Sequence, residues 1–461
     1  MRKREGITIW LLAALPLLLL AGSVWAQENI AVQRLAEPLG FVATSHTQHF
    51  AVAFDQETRQ LVGDPISLSP EGNGPFDAVM RPDGSEVWLA GFSGDGIIVI
   101  DAHTHTLIQR ISGVGNTPVD IEFNKTGNLA YVSNRDSVDV AIIDTATYQI
   151  IDRFPIVSPT TNNVDPGRMS LNPCSGELYM VNYFNNQLWR VDPVAKQVTE
   201  EIDLGVSLWN PVVSPQADRL YVTDRSRFGD VVHVLDVSEP TFITMTQIPV
   251  GDDPWGVDIS PNGRLLTVAN AVDGTINIID TDTLTVTHTI TLTVPDSSDQ
   301  PEPRDVEISA DGRFAYAPSL DVGLANDEDA VLVIDLATGE QVDAIKLGAT
   351  RRPVVVSVAP AAPSLDPIPR FGVVGALTVG TAVHFTDTSG NQPTHWQWDF
   401  GDGVGSSSEQ NPVYSYANPG SYTVTLTATN HCGSQTVSQT VEIIAEHSVY
   451  LPVIKRSEIG D

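Results

Sequence analysis

Four charged residues share a setting. Asp77, Asp120, Arg168 and Asp305 each stand two residues after a proline that opens a valine- and isoleucine-rich run. A metal-assisted hydrolase would need three or more such oxygens around one ion, with a position left open for water. A guanidinium among carboxylates instead neutralises them and leaves a polar ring. The most acidic stretch is "LDVGLANDEDA" (320–330), where Asp321, Asp327, Glu328 and Asp329 are candidate calcium ligands. Their spacing follows no calcium-loop motif, so a solvated acidic loop is the competing reading. His46 and His49 could pair on a metal, but no third ligand is evident. His103 and His105 read as turn residues. No G-x-S-x-G, HExxH, Walker loop or dinucleotide fingerprint is present.

The elements that would position these residues are repeated. Residues 254–292 parse into four short runs, "WGVDIS", "RLLTVAN", "TINIIDT" and "TVTHTITL", each of strand length and separated by turn residues. The unit recurs with prolines at its head, at Pro75, Pro118, Pro166, Pro211, Pro254, Pro303 and Pro353. Four strands per period of roughly 43–50 residues predict propeller blades. The third strand of each unit ends in an aspartate: Asp55, Asp101, Asp144, Asp192, Asp236, Asp280 and Asp335. A carboxylate there can accept backbone N–H groups just ahead and close the next turn. Seven equivalent aspartates on seven separate turns cannot converge on one substrate.

The repeat is offset at its ends. Residues 40–68 supply second, third and fourth strands with no first strand before them, while "RRPVVVSVAP" (351–360) supplies a first strand with nothing after it. The prediction is a seven-bladed ring whose first blade is completed by its last strand, which also covers an edge open to foreign strands. First-to-second and third-to-fourth turns fall on one face and are short. The long pieces, 158–166, 224–230, 294–303 and 317–330, fall on the other, where function usually sits on a rigid scaffold. Asp224, Arg225, Asp321, Asp327, Glu328 and Asp329 are therefore the candidate ligand-face residues. Asp77, Asp120, Arg168 and Asp305 are the candidates at the channel mouth.

"LAYVSNRDSVDVAIIDTATYQII" (129–151) and "LLTVANAVDGTINIIDTDTLTV" (265–286) resemble the YVTN repeat family of seven-bladed propellers. The resemblance covers about 40–359 and implies architecture. For chemistry it leaves surface-layer proteins and lactonase-like hydrolases both open.

A proline-rich spacer (360–370) follows, then about 75 residues of alternating strands with dense turn signals. That pattern predicts a small immunoglobulin-like β-sandwich. "WDFGDG", "NPVYSY" and "PGSYTVTLTATN" resemble a PKD domain. Trp398 and Phe400 are the expected core, Gly401 and Gly403 permit a tight turn, and Asp399 and Asp402 bond that turn. Calcium at the two aspartates is the alternative. Tyr416 and Tyr422 are expected to fix the corner before the next strand. The resemblance implies a non-catalytic spacer, or a module in contact with protein or glycan.

The N-terminus reads as an export signal, with "MRKRE" before an apolar core and cleavage between Ala26 and Gln27; an uncleaved anchor helix is the alternative, since the apolar run approaches spanning length. The expected organisation is signal peptide 1–26, propeller 27–359, spacer 360–370, sandwich 371–446 and tail 447–461. With 57 acidic against 25 basic residues, the formal net charge of −32 argues against nucleic acid. No later segment is apolar enough to span a membrane. Cys174 and Cys432 lie in different predicted domains and form no zinc or haem motif; the fold is expected to rest on packing alone, and a bridge between them, which would have to join the two domains, is the alternative. The all-β, two-domain chain is thus expected to be secreted or held at the cell surface, monomeric and without an obligatory cofactor. Its expected role is binding or structural, and a metal-dependent lactonase-like hydrolase is the alternative.

Overall fold

The computed structural model describes residues 39–44, 49–68, 74–91, 96–226, 229–295, 300–320, 329–347, 353–358, 366–391, 393–430 and 432–445. The export signal with Ala26 and Gln27, the acidic residues Asp321, Asp327 and Glu328, His46, and the C-terminal tail lie outside them. All the elements are strands, as the β-branched runs between Gly, Asp and Asn turns dictate. Blade 2 is an antiparallel meander of Pro75–Met80, Glu86–Gly91, Gly96–Asp101 and Thr106–Ser112, from channel to rim. Blades 3 to 6 repeat it, with inner strands Pro118–Phe123, Pro166–Leu171, Leu208–Val213 and Pro254–Ile259. In blade 7 the inner strand is split into Glu302–Pro303 and Glu307–Ile308.

Blade 1 closes as expected. Pro353–Val358 pairs antiparallel with Leu39–Thr44, with Gly40 opposite Val358 and Val42 opposite Val356. Val356 and Val358 share one buried cluster with Val42, Val52 and Phe54 of blade 1 and Tyr316, Val331 and Val333 of blade 7. The closing strand therefore joins first and last blades by its ladder and by its side chains. Burying each valine contributes about 1.5–3 kcal/mol.

The seven turn aspartates behave alike. Asp55, Asp101, Asp192 and Asp335 each accept two N–H groups, two and three residues ahead, on one oxygen. Asp144 and Asp280 receive the N–H three ahead, and Asp236 the one two ahead.

One strand head differs from expectation. Leu208, not Pro211, opens blade 5: it lies opposite Asp224, as Pro166 lies opposite Asn182 and Pro254 opposite Asn270. Pro211 sits three residues further in, opposite Val222. A proline is tolerated there because the inner strand is a sheet edge.

The second domain packs the sheet Phe371–Val374, Val383–Asp387, Val413–Tyr414 against the sheet Ser406–Ser407, His395–Asp399, Gly420–Asn430, Gly433–Ile443. Trp398 and Phe400 are buried between them with Phe385 and Tyr416. Asp399 accepts the Gly401 N–H at 2.8 Å, and Asp402 accepts those of Val404 and Gly405. Gly401, at φ 78°, has no room for a Cβ, which would fall 2.3 Å from the Thr423 carbonyl oxygen. Tyr416 donates to the Phe400 carbonyl and Tyr422 to that of Asn418, fixing the corner.

The cysteines correct the sequence expectation. Cys174, in the first turn of blade 4, is disulfide-bonded to Cys432, in the hairpin between the sandwich's two longest strands. A sequence separation of 258 residues gave no local sign of the pair. Lys125, in the matching turn of blade 3, forms an ion pair with Asp366 at 3.1 Å. Both ties lie on the short-turn face, so the sandwich is fastened there and the long-loop face is opposite. An exposed ion pair contributes at most about 1 kcal/mol, so the disulfide should carry the attachment. In Cys432→Ser, small-angle scattering should give a larger radius of gyration, with both domains still folded by calorimetry. An unchanged radius would assign the attachment to non-covalent contacts.

Candidate functional site

An inner propeller strand pairs on one side only. Its other edge presents N–H groups to a narrow channel, where each needs an acceptor. The repeat supplies one from the preceding blade. Asp77 of blade 2 accepts the Ile121 N–H of blade 3 at 3.0 Å, and Asp120 of blade 3 accepts the Met169 N–H of blade 4 at 2.7 Å. Asp305 of blade 7 accepts the Val356 N–H of the closing strand at 3.1 Å. One strand step deeper, Glu122 reaches the Leu171 N–H, Ser170 that of Val213, Asp258 that of Ile308, and Glu307 that of Val358. Side-chain oxygens at two levels therefore join successive blades at five of the seven boundaries, among the described residues, all in one rotational sense.

Two upper-level positions depart from this pattern for different reasons. Blade 4 places Arg168 at the upper tier, and a guanidinium cannot accept a hydrogen bond. The position it faces in blade 5 is Pro211, which has no N–H to satisfy. Blade 6 has Gly256 there, where a Cβ would fall 2.6 Å from the Asp305 Cα.

Crowding sets the charge state. Burial pushes the Glu122 carboxyl up to about 8, Asp258 to about 7 and Asp305 to about 6, Arg168 holding Asp305 back. Burial also raises Asp77, and raises Asp120 and Glu307 well above the usual range, with neighbouring carboxylates adding to it. Arg168 lies 3.5 Å from Asp77 and 4.0 Å from Asp120, and donates to the Phe76 carbonyl at 3.1 Å. Near neutral pH the channel is thus a mixture of carboxylic acids and carboxylates around one cation.

Above it, on the long-loop face, aromatic rings and guanidinium groups form a continuous series along the mouth. The Arg135 guanidinium carbon is 5.8 Å from the Tyr183 ring centre, and Tyr183 stacks on Trp209 at 4.6 Å. Arg225 lies 4.4 Å from the Trp209 ring and 3.6 Å from that of Trp255, and Arg304 is 4.9 Å from Trp255. Arg168 and Phe76 make the same contact below, at 5.9 Å. Carboxylates fix the series: Asp165 takes Arg135 through both oxygens at 2.6 and 2.8 Å, Glu302 holds Arg304 at 3.1 Å, and Asp253 holds both the Arg225 Nε and the Trp255 indole N–H. Each cation–π contact contributes about 0.5–2 kcal/mol.

The structure brings Asp77, Asp120, Arg168 and Asp305 together and places Arg225 in the aromatic series. Asp224 lies beneath that face, 1% exposed, accepting the Ser226 N–H and facing His233 at 3.6 Å. Asp329 is buried at the edge of blade 7, its carbonyl bonded to the Leu347 N–H. His49 takes the Gly74 N–H. Among the described residues no group of three histidine, cysteine or carboxylate side chains is placed to hold a metal. Sequence reasoning missed Glu122, Asp258 and Glu307, which stand two residues after upper-tier positions. It also missed Phe76, Trp209, Trp255 and Arg304, each one residue after a strand head. A column-by-column reading of the repeat would have found both sets.

Comparisons with known proteins agree with the fold. Residues 363–445 match the PKD domain family model. Residues 21–164 match that of the cytochrome D1 heme domain. Haem iron takes an axial His, Cys, Met or Tyr. No described histidine stands at a channel-lining position, and Tyr183 is held by the Arg168 N–H and by Trp209. Met80 and Met169 of the inner strands pack into the cores between blades, and both cysteines are in the disulfide, so among the described residues the channel offers no axial ligand for a haem. The pre-pro-metalloprotease PrtV of Vibrio cholerae is 39% identical over 82 residues, 17% of this chain and 9% of the protease. The alignment thus spans under a tenth of that relative. Three solved structures align over 70% of this chain: a functionally unknown protein of Desulfotomaculum acetoxidans (TM-score 0.56, 11% identity, 99% of that chain) and candidate 6-phosphogluconolactonases of Bacteroides uniformis (0.54, 15%, 99%) and Bacteroides fragilis (0.53, 16%, 98%). At these identities the likeness is one of fold.

Two predictions follow from the channel. Its carboxyls keep protons that the unfolded chain releases. Their stabilisation is therefore full below the unfolded carboxyl range near pH 4 and is lost as pH rises through about 6 to 8. Urea midpoints should fall across that window, and Glu122→Gln should flatten its upper end; a flat wild-type profile would refute the belt's charge state. Arg168→Met removes the cation and should cost about 3–5 kcal/mol in urea unfolding at pH 8.

Proposed function

We propose that this protein is exported and works outside the cell as a binding protein, its propeller taking a ligand at the channel mouth and its PKD-like sandwich serving as spacer or second contact. The observation that carries this reading is the arginine–aromatic series Tyr183–Trp209–Arg225–Trp255–Arg304 on the long-loop face. Half-buried tryptophan, tyrosine and arginine at one opening are the residue types that dominate binding surfaces. The disulfide supports an oxidising compartment, and the N-terminal sequence supports export. A hydrolase is the weaker reading, because the channel carboxyls that would serve it hold backbone N–H groups or Arg168.

The test compares the purified mature protein with Trp209→Ala/Trp255→Ala for retention on isolated cell-envelope material and on immobilised polysaccharides. Retention at least tenfold weaker in the variant, with an unchanged melting temperature of the propeller, is the expected result. Stoichiometric bound metal with chelator-sensitive lactone hydrolysis would overturn it in favour of the enzyme.

A further inference from the structure

We infer that the ligand at the mouth is a sugar carrying an oxyanion, a carboxylate or a sulfate, gripped by Arg225 and Arg304. This rests on the binding reading above and names the ligand's chemistry. The Arg225 guanidinium lies against both tryptophan rings, and only its Nε is bonded, to Asp253 at 2.9 Å. Its two Nη nitrogens donate no hydrogen bond among the described residues. A guanidinium held flat in this way loses little further freedom on binding and presents a fork matched to a planar or tetrahedral oxyanion. Arg304, on Trp255, uses one Nη for Glu302, while its Nε is buried with no acceptor. Buried charged donors left without acceptors are costly, and a ligand that draws Arg304 round would relieve this one.

The remaining surface fits a sugar body. Tyr183 is followed by Phe184, 69% exposed on the same face, a bare ring on which a sugar can stack. The carboxyl-rich channel below offers a donor beside acceptors, since burial pushes the Glu122 carboxyl up to about 8. The net charge of −32 disfavours anions at long range. That field is screened within about 8 Å at physiological ionic strength, so the guanidinium groups at the opening decide the contact.

Calorimetric titration with galacturonate oligomers, sulfated galactose oligomers and neutral galactose oligomers of equal length tests this on the mature protein. Acidic oligomers should bind at least about tenfold more tightly than neutral ones, the worth of one charge-assisted pair. Arg225→Gln should remove that preference, Arg225→Lys should restore it in part, and Trp209→Ala should weaken both classes. The carboxylated and sulfated arms decide which oxyanion is taken. Equal binding of neutral and acidic oligomers, lost in Trp209→Ala but not in Arg225→Gln, would overturn the oxyanion while leaving a binding mouth. Binding of either class that no mouth variant changes would overturn the site itself, as would no binding by any oligomer while cell-envelope retention stays insensitive to Trp209 and Trp255.

Discussion

The structure depends on how the inner sheet edges are satisfied. Seven sheets meet at an axis, and each presents the unpaired edge of its inner strand to the channel. Asp77, Asp120, Glu122, Ser170, Asp258, Asp305 and Glu307 meet that need from the preceding blade in blades 3, 4, 5, 7 and 1. Neighbouring blades are thereby joined through the very groups that would otherwise oppose packing. The closing strand is held in the same way, Val356 by Asp305 and Val358 by Glu307. Ring closure thus has a polar component as well as the buried valines.

That solution has an electrostatic consequence. Carboxyls that cap the channel are desolvated and near one another, so their proton affinities are raised, that of Glu122 to about 8, and one cation is placed among them. Arg168 supplies the cation but cannot accept a hydrogen bond, and Pro211 removes the donor it would have left unpaired. The two residues make sense only together. The belt is first of all a structural device, and its unusual acidity follows from packing before any chemistry is asked of it.

The two faces divide the remaining work. The short-turn face carries the tight Asp-closed turns and the ties to the sandwich, Cys174–Cys432 and Lys125–Asp366. The long-loop face carries the arginine–aromatic series, built from the first position after the inner-strand head and the first after the second strand. Each guanidinium there is backed by a carboxylate and covered by a ring. Among the described residues, each cation at the opening is thus matched by a carboxylate of its own.

Much of this was legible in the sequence. Blade count, the offset completion of blade 1, the seven turn aspartates and the sandwich core around Trp398 all rest on periodicity or on hydrogen bonds spanning a few residues, which a linear reading contains. Four channel residues were legible for the same reason, since each keeps its offset from a strand head. Other features were decided only by the tertiary structure. Proline marks the head of blade 5 misleadingly, because an unpaired inner edge accepts proline at more than one position. The partner of Cys174 is 258 residues away and is set by where the sandwich docks. Tyr183, Trp209, Arg225, Trp255 and Arg304 come from four blades and meet because a closed ring brings equivalent positions of successive repeats to one opening. The sequence by itself determined which residues recur at each position of the blade, and ring closure decided which of them touch.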